Sequence, residues 1–182
     1  MRHEFRNWLA LLAALWIIPV CGSQFVPLTI ADLTAKADLV VHGKVRSMTC
    51  DEDASGRVFT RVEIEVAEVW KGPRQPAVLE VVHGGGSIGK KRVVVSGQVQ
   101  YRTGEEIVAF LVLNPRGQAV TLGLAQGKFQ VWTDPQTSER LAANMFHGTS
   151  PGGGALRPLE ASSAAERLTL ADLKRQVQGG AQ

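Results

Sequence analysis

ADLVVHGKVRSMTCDEDASGRVFTRVEIEVAEVWKGP, from Ala37 to Pro73, reads as two long β-strands joined by an acidic, glycine-containing connection. In the second strand Val58, Thr60, Val62, Ile64 and Val66 share one face, and Arg61, Glu63 and Glu65 share the other. That period of two is what a sheet with one dry and one wet side requires. The alternation slips at Ala67 and Glu68 before the strand reaches Trp70. If straight, the stretch from Val58 to Trp70 spans roughly 43 Å, well beyond an ordinary strand. A small domain accommodates such a strand by coiling it at a bulge, so that it serves two halves of a closed barrel. The phase slip marks the expected bend.

Outward from this hairpin, strand signals recur at Leu39–Met48, Val58–Trp70, Val78–His83, Arg92–Val99, Glu106–Leu113, Ala119–Leu124 and Lys128–Thr133. Asn114-Pro115-Arg116-Gly117 is a tight-turn sequence between two of them. Short strands at this spacing indicate a barrel or a sandwich. A short helix is expected at Leu28–Ala37, where Thr29 supplies a cap, Asp32 sits three residues on, and Ile30, Leu33 and Ala37 share a face. LTLADLKRQV near the other end repeats the design with Thr169, Asp172, Leu170, Leu173 and Val177, stopped by Gly179 and Gly180. Two helices capping the barrel with the same chemistry account for the repeat more simply than an internal duplication. Ser150–Ser163 is rich in Gly, Pro, Ser and Ala and reads as a mobile linker to the last helix.

The chain has 182 residues, 45% hydrophobic and 20% charged, an ordinary globular composition for one domain. Arg2 and Arg6 precede an apolar run from Trp8 to Val20, too short for a membrane span, which needs about 20 residues. A secretory signal over residues 1–23 is the better reading, with cleavage after Gly22 or Ser23. The expected organisation is then a barrel domain over 24–149, a linker over 150–167 and a C-terminal helix over 168–178. Export points to the periplasm, the cell surface or the medium. Without Arg2, Glu4 and Arg6 there remain 18 basic and 16 acidic residues, a net charge of +2 rather than +3. That balance argues against a nucleic-acid surface built on bulk electrostatics. Of the two cysteines, cleavage after Gly22 leaves only Cys50, so disulfides hold nothing together.

ADLVVHGKV, a long strand with charges outward and then VWKGP resemble the N-terminal domain of tissue inhibitors of metalloproteinases, a five-stranded OB barrel shared with netrin-like modules. EEIVAFLVLN followed by VTLGLAQGKFQVW is similar in order and character to that family's later strands, so the resemblance covers about Ala37 to Trp132. It implies a mainly β, small closed OB-like Greek-key barrel with short helices at the N-terminal side and the C-terminus. A fold alone does not fix an activity. In that family the N-terminal segment and neighbouring barrel loops form the protease-contacting ridge, and an N-terminal cysteine chelates the protease zinc. The matching segment here, Gln24–Pro27, lacks that cysteine. Cleavage before Cys21 would recreate such a terminus or expose it for lipidation, but Val20 is a poor residue at either kind of cleavage site.

Catalytic and metal patterns are incomplete. In His83-Gly84-Gly85-Gly86-Ser87-Ile88-Gly89-Lys90 the glycine–lysine spacing fits a phosphate loop, yet Lys91 takes the place of the magnesium-binding hydroxyl and no helix follows. HGGG also suits a hydrolase oxyanion hole, but the chain has no G-x-S-x-G elbow. Asp51-Glu52-Asp53-Ala54-Ser55-Gly56 begins like a calcium loop, and Val62 stands where the bidentate acid belongs. His42, His83 and His147 lack zinc-site spacing. The reading that follows has no catalytic, cofactor or metal residues. It is a secreted, non-enzymatic protein-binding module, a candidate inhibitor or companion of a secreted zinc protease. Its binding rim is Gln24, Phe25 and Val26 with Asp51, Asp53, Ser55, Gly84, Gly85, Ser87, Ile88 and Gly89. The alternatives are an envelope structural or adhesion protein, and a hydrolase pairing His83 or His147 with Ser87 or Ser96.

Overall fold

The computed structural model describes residues 26–148 and 167–180. The segment read as a signal, with Cys21, Gln24 and Phe25, lies outside the described residues, as does the linker up to residue 166. The described residues form, in order, α1 (Ile30–Lys36), β1 (Leu39–Glu52), β2 (Val58–Lys71), β3 (Val78–Gly84), β4 (Gly86–Ile88), β5 (Lys91–Val93), β6 (Glu106–Leu113), β7 (Ala119–Thr121), β8 (Lys128–Thr133), β9 (Arg140–Ala143) and α2 (Leu170–Gly179).

Five strands close into a ring. β1 pairs antiparallel with β2 from Val40↔Lys71 to Glu52↔Val58. β2 pairs antiparallel with β3, and β3 meets β7 in parallel at Val81↔Ala119. β7 pairs antiparallel with β6, and β6 returns to β1 over Leu39↔Leu111 to Lys44↔Glu106. The chain is therefore mainly β, with a barrel-like ring whose strand order jumps as a Greek key does. Outside the ring, β8 and β9 continue the sheet from β6.

The long hairpin coils where its register slips. Partners jump from Val40↔Lys71 to Val41↔Val69, from His42↔Glu68 to Gly43↔Val66, and from Val45↔Ile64 to Ser47↔Glu63. Each jump leaves one residue unopposed: Trp70, Ala67 and Arg46. The middle one is the bend expected from the phase slip at Ala67, and each bulge adds local twist. Gly43 sits at this bend, where a Cβ would lie 2.3 Å from the Glu65 carbonyl oxygen. Glycine is needed there for close approach of two backbones.

Each face of the sheet has its own core. Inside the ring lie Val41, Val45, Val62, Ile64, Val81, Ile107, Ala109 and Leu111. Outside it, Val40, Trp70, Val108, Phe110, Phe129 and Val131 pack with Ile30 and Leu33 of α1 and Leu173 and Val177 of α2. Both helices begin with the expected cap: the Thr29 and Thr169 hydroxyls each accept from the amide three residues on, at 3.0 Å. Lys71 of the VWKGP motif ends α1, its ammonium donating to the carbonyls of Thr34 (2.6 Å) and Ala37 (2.7 Å). A polar seam closes the outer layer. His42 bonds Glu106 at 2.7 Å, Arg140 also reaches Glu106, Trp70 donates to Glu68 at 2.8 Å, and Lys174 of α2 reaches Glu68.

Three expectations are corrected. The strand expected at Arg92–Val99 ends at Val93, and the loop expected at Gly84–Gly89 contains β4, so β4 and β5 make a separate ribbon. A turn at Gly97, with φ 73°, interrupts the expected strand, and beyond it Val99 and Tyr101 enter the ring interior. The strand expected to reach Leu124 stops at Thr121, because Gly123 and Leu124 turn through positive φ. β9 was not foreseen, since Arg140–Ala143 has neither alternation nor β-branched residues.

Gly43→Ala is expected to destabilise the fold by about 1–3 kcal/mol in urea denaturation, since neither backbone at the bend can yield. The Glu106 carboxyl is pushed up by burial, but hydrogen bonds from His42 and Arg140 with the Arg140 charge outweigh that and hold it below its ordinary value. A depressed carboxyl stabilises the fold above its unfolded-state pKa of about 4.3, and that stability is lost as pH falls through the folded value. The stability difference between the wild-type chain and Glu106→Gln is thus expected to be full near pH 6 and to shrink towards pH 3 in denaturation series.

Candidate functional site

The acidic tip between β1 and β2 is neutralised residue by residue. Asp51 pairs with Arg61, Glu52 with Lys91 at 2.9 Å, and Asp53 with Arg57 at 2.8 Å. Asp53 also accepts from the amides of Ser55 (2.9 Å) and Arg57 (3.0 Å), which fixes the turn. These bonds, the Arg57 amide foremost, hold its carboxyl below the ordinary range. The oxygens that a calcium loop would turn inward are instead engaged by cations and amides. Among the described residues no three His, Cys, Asp or Glu side chains are grouped to hold a metal ion.

Lys91 ties the tip to the ribbon. Besides Glu52, its ammonium reaches the Gly56 carbonyl at 2.9 Å. On the other side of the ribbon Thr60 donates to the Gly85 carbonyl at 2.8 Å. Gly86, at φ 139°, leaves space where a Cβ would meet the Thr60 hydroxyl at 2.6 Å and the Cys50 sulfur at 2.7 Å. So Asp51, Asp53 and Ser55 on the hairpin tip, and Gly84, Gly85, Ser87, Ile88 and Gly89 around the ribbon, form one continuous structure at one end of the ring. Val26 is elsewhere: its carbonyl faces Gln126 (3.4 Å), whose side chain also accepts from the Leu28 amide at 2.8 Å.

Beside this structure lies a cleft of about 840 Å³. Its surface includes Phe59, Val82, Val93, Val95 and Val120, with Arg57 on the hairpin tip and Arg116 on the β6–β7 turn. Gly84 opposes Phe59 across β2 and β3, so no side chain covers the aromatic ring from that position. Arg116 is exposed and has no ion-pair partner among the described residues, while its turn is held by Asn114, which accepts from the Arg116 and Gln118 amides. Of the expected rim residues, Asp53, Gly84 and Gly85 line the cleft. Arg57, Arg116 and the valines were missed. Their signal was present in the run Val93-Val94-Val95 and in an arginine on each of two turns, but nothing in the chain order says that these stretches meet.

His83 also belongs to the cleft wall, and its ring packs on Tyr101 with centroids 6.1 Å apart. Its Nε2 is buried without a hydrogen-bond partner among the described residues. The Tyr101 hydroxyl bonds Thr121 at 2.8 Å; burial, reinforced by Glu105, drives its pKa far above the ordinary range. Behind it, half-buried Lys128 pairs with Glu105 at 2.6 Å and lies 5.2 Å from the Tyr101 ring centroid. No hydroxyl of Ser87 or Ser96 is hydrogen-bonded to His83 or His147. His83 instead contacts the Gly84 carbonyl, and His147 the Leu28 carbonyl.

No protein-family model matches the chain, and no curated protein matches it in sequence. Among the described residues no helix is long and apolar enough to cross a membrane.

Lys91→Met is expected to free the ribbon without unfolding the ring. Amide exchange at Gly86–Val93 should rise by roughly two- to five-fold. Global stability should change by less than about 1 kcal/mol, because the lost ion pair is exposed.

Proposed function

We propose that the chain is an exported protein-binding module that acts through the rim of its ring, and that its partner class is a secreted metalloprotease. The observation that carries this reading is the joining of the hairpin tip and the ribbon, through Lys91 and Thr60, into one wall beside an apolar cleft. Loops held by buried and bridging bonds lose little freedom on binding, and pre-organisation of this kind favours recognition. The partner class rests on the resemblance of the Ala37–Trp132 stretch to tissue inhibitors of metalloproteinases. Because Gln24–Pro27 has no cysteine to chelate zinc, contact with a protease works by occlusion, with the rim covering the substrate groove.

The purified chain is tested against the secreted zinc proteases encoded beside its gene, by size-exclusion chromatography and peptide hydrolysis. A 1:1 complex is expected, weakened about ten-fold or more by Ser87→Trp at the exposed ribbon without a change in thermal midpoint. Absence of a complex with any of them removes the metalloprotease partner. A complex that Ser87→Trp leaves intact removes the rim.

A further inference from the structure

We infer that the cleft beside β3 binds an extended, acidic segment of a partner protein, with alternate side chains on the valine floor and a carboxylate at Arg116. This deepens the protein-binding reading and rests on it. Three features of the cleft converge.

The first is the open edge of β3. Along one side it pairs with β2 from Val78 to Gly84, but along the other it meets β7 at Val81 alone. Past Val82 that second edge borders the cleft with no further strand partner among the described residues, although the Gly85 amide and carbonyl are already taken by Val58 and Thr60 and the Gly84 carbonyl is met by His83. Strand edges of this kind are bound by peptides through backbone hydrogen bonds, with side-chain pockets setting the sequence preference.

The second is the floor. Val82, Val93, Val95 and Val120 with Phe59 present an apolar surface, and Val95 is 41% exposed. An extended segment turns every second side chain to one face, so it can lay apolar residues on this floor while its other residues face away.

The third is charge. Arg57 and Arg116 stand on separate loops of the cleft, and Asp53 is its one acidic wall residue, already engaged by Arg57 and two amides. Arg116 has no such partner among the described residues. Guanidinium groups take carboxylates through paired hydrogen bonds. The excess of cation selects a segment bearing Glu or Asp over a neutral or basic one.

The test uses the full chain and a fluorescent nonapeptide of alternating valine and glutamate, with a valine–glutamine peptide as control. Fluorescence anisotropy is expected to show the acidic peptide binding at least about ten-fold more tightly, with the preference falling as salt is added. Arg116→Glu, an exposed turn substitution, is expected to weaken it about ten-fold, and Arg116→Lys to restore part of the loss. Amide shifts on titration should centre on Val82–Gly85 and Val120. Equal binding of the two peptides, indifference to Arg116→Glu, or shifts centred elsewhere would overturn the assignment. So would a dimer in sedimentation that Arg116→Glu dissolves, which would make a second copy the occupant. Crosslinks from position 116 to residues 149–166 would likewise assign the cleft to the chain's own segment. A protease complex weakened by Ser87→Trp but unaffected by Arg116→Glu would leave the rim reading standing and remove only the cleft.

Discussion

Residues Val40–Lys44 pair on both edges, with β2 on one side and with β6 on the other. A strand in an open sheet can do this while lying nearly flat. Here the same hairpin must also bring β3 round to β7, so the sheet has to curl through a full turn within five strands. The bulges at Trp70, Ala67 and Arg46 supply that curl, and the missing side chain at Gly43 lets the two backbones come together at the bend. Remove the bend and Val81 no longer faces Ala119. The ring interior, with Val62 and Ile64 at its centre, would then be open to water.

Curling the sheet has a second effect, because β1 carries a buried face on either side. Val41 and Val45 point into the ring, whereas Val40 belongs to the layer covered by the helices. That outer layer is fastened at its edge by charge. Lys71 closes the end of α1, and Glu68 and Glu106 collect Trp70, Lys174, His42 and Arg140. The far portion of the hairpin, from Ser47 onward, extends past β6 and is free to carry the neutralised tip and the ribbon. The division between a packed half and a projecting half is what gives the ring a rim.

Much of the fold was legible because it depends on short-range rules. Period-two alternation set β2, the slip at Ala67 announced the bulge, and threonine followed by aspartate three residues on marked both helix starts. The resemblance to an OB barrel pointed to closure, and the ring order agrees with that expectation. The ribbon was not legible, since Gly84–Gly89 has the composition of a loop and becomes strand only through pairing with Lys91–Val93. The cleft was legible in fragments. Asp53, Gly84 and Gly85 were singled out as loop residues, but Arg116 reads in sequence only as part of a turn. What brings it near Arg57 is the parallel contact between β3 and β7, a long-range pairing that no local pattern encodes.

β6 bonds β1 along one edge and divides the other, giving Glu106–Ala109 to β8 and Leu111–Leu113 to β7. Between them Phe110 is the fork: its amide donates to the Gly127 carbonyl, and its own carbonyl accepts from Leu122. The interior of the cylinder and the helical overlay therefore have a common beam. Disruption of β6 would open both at once, which couples the two layers despite their separate hydrophobic fillings.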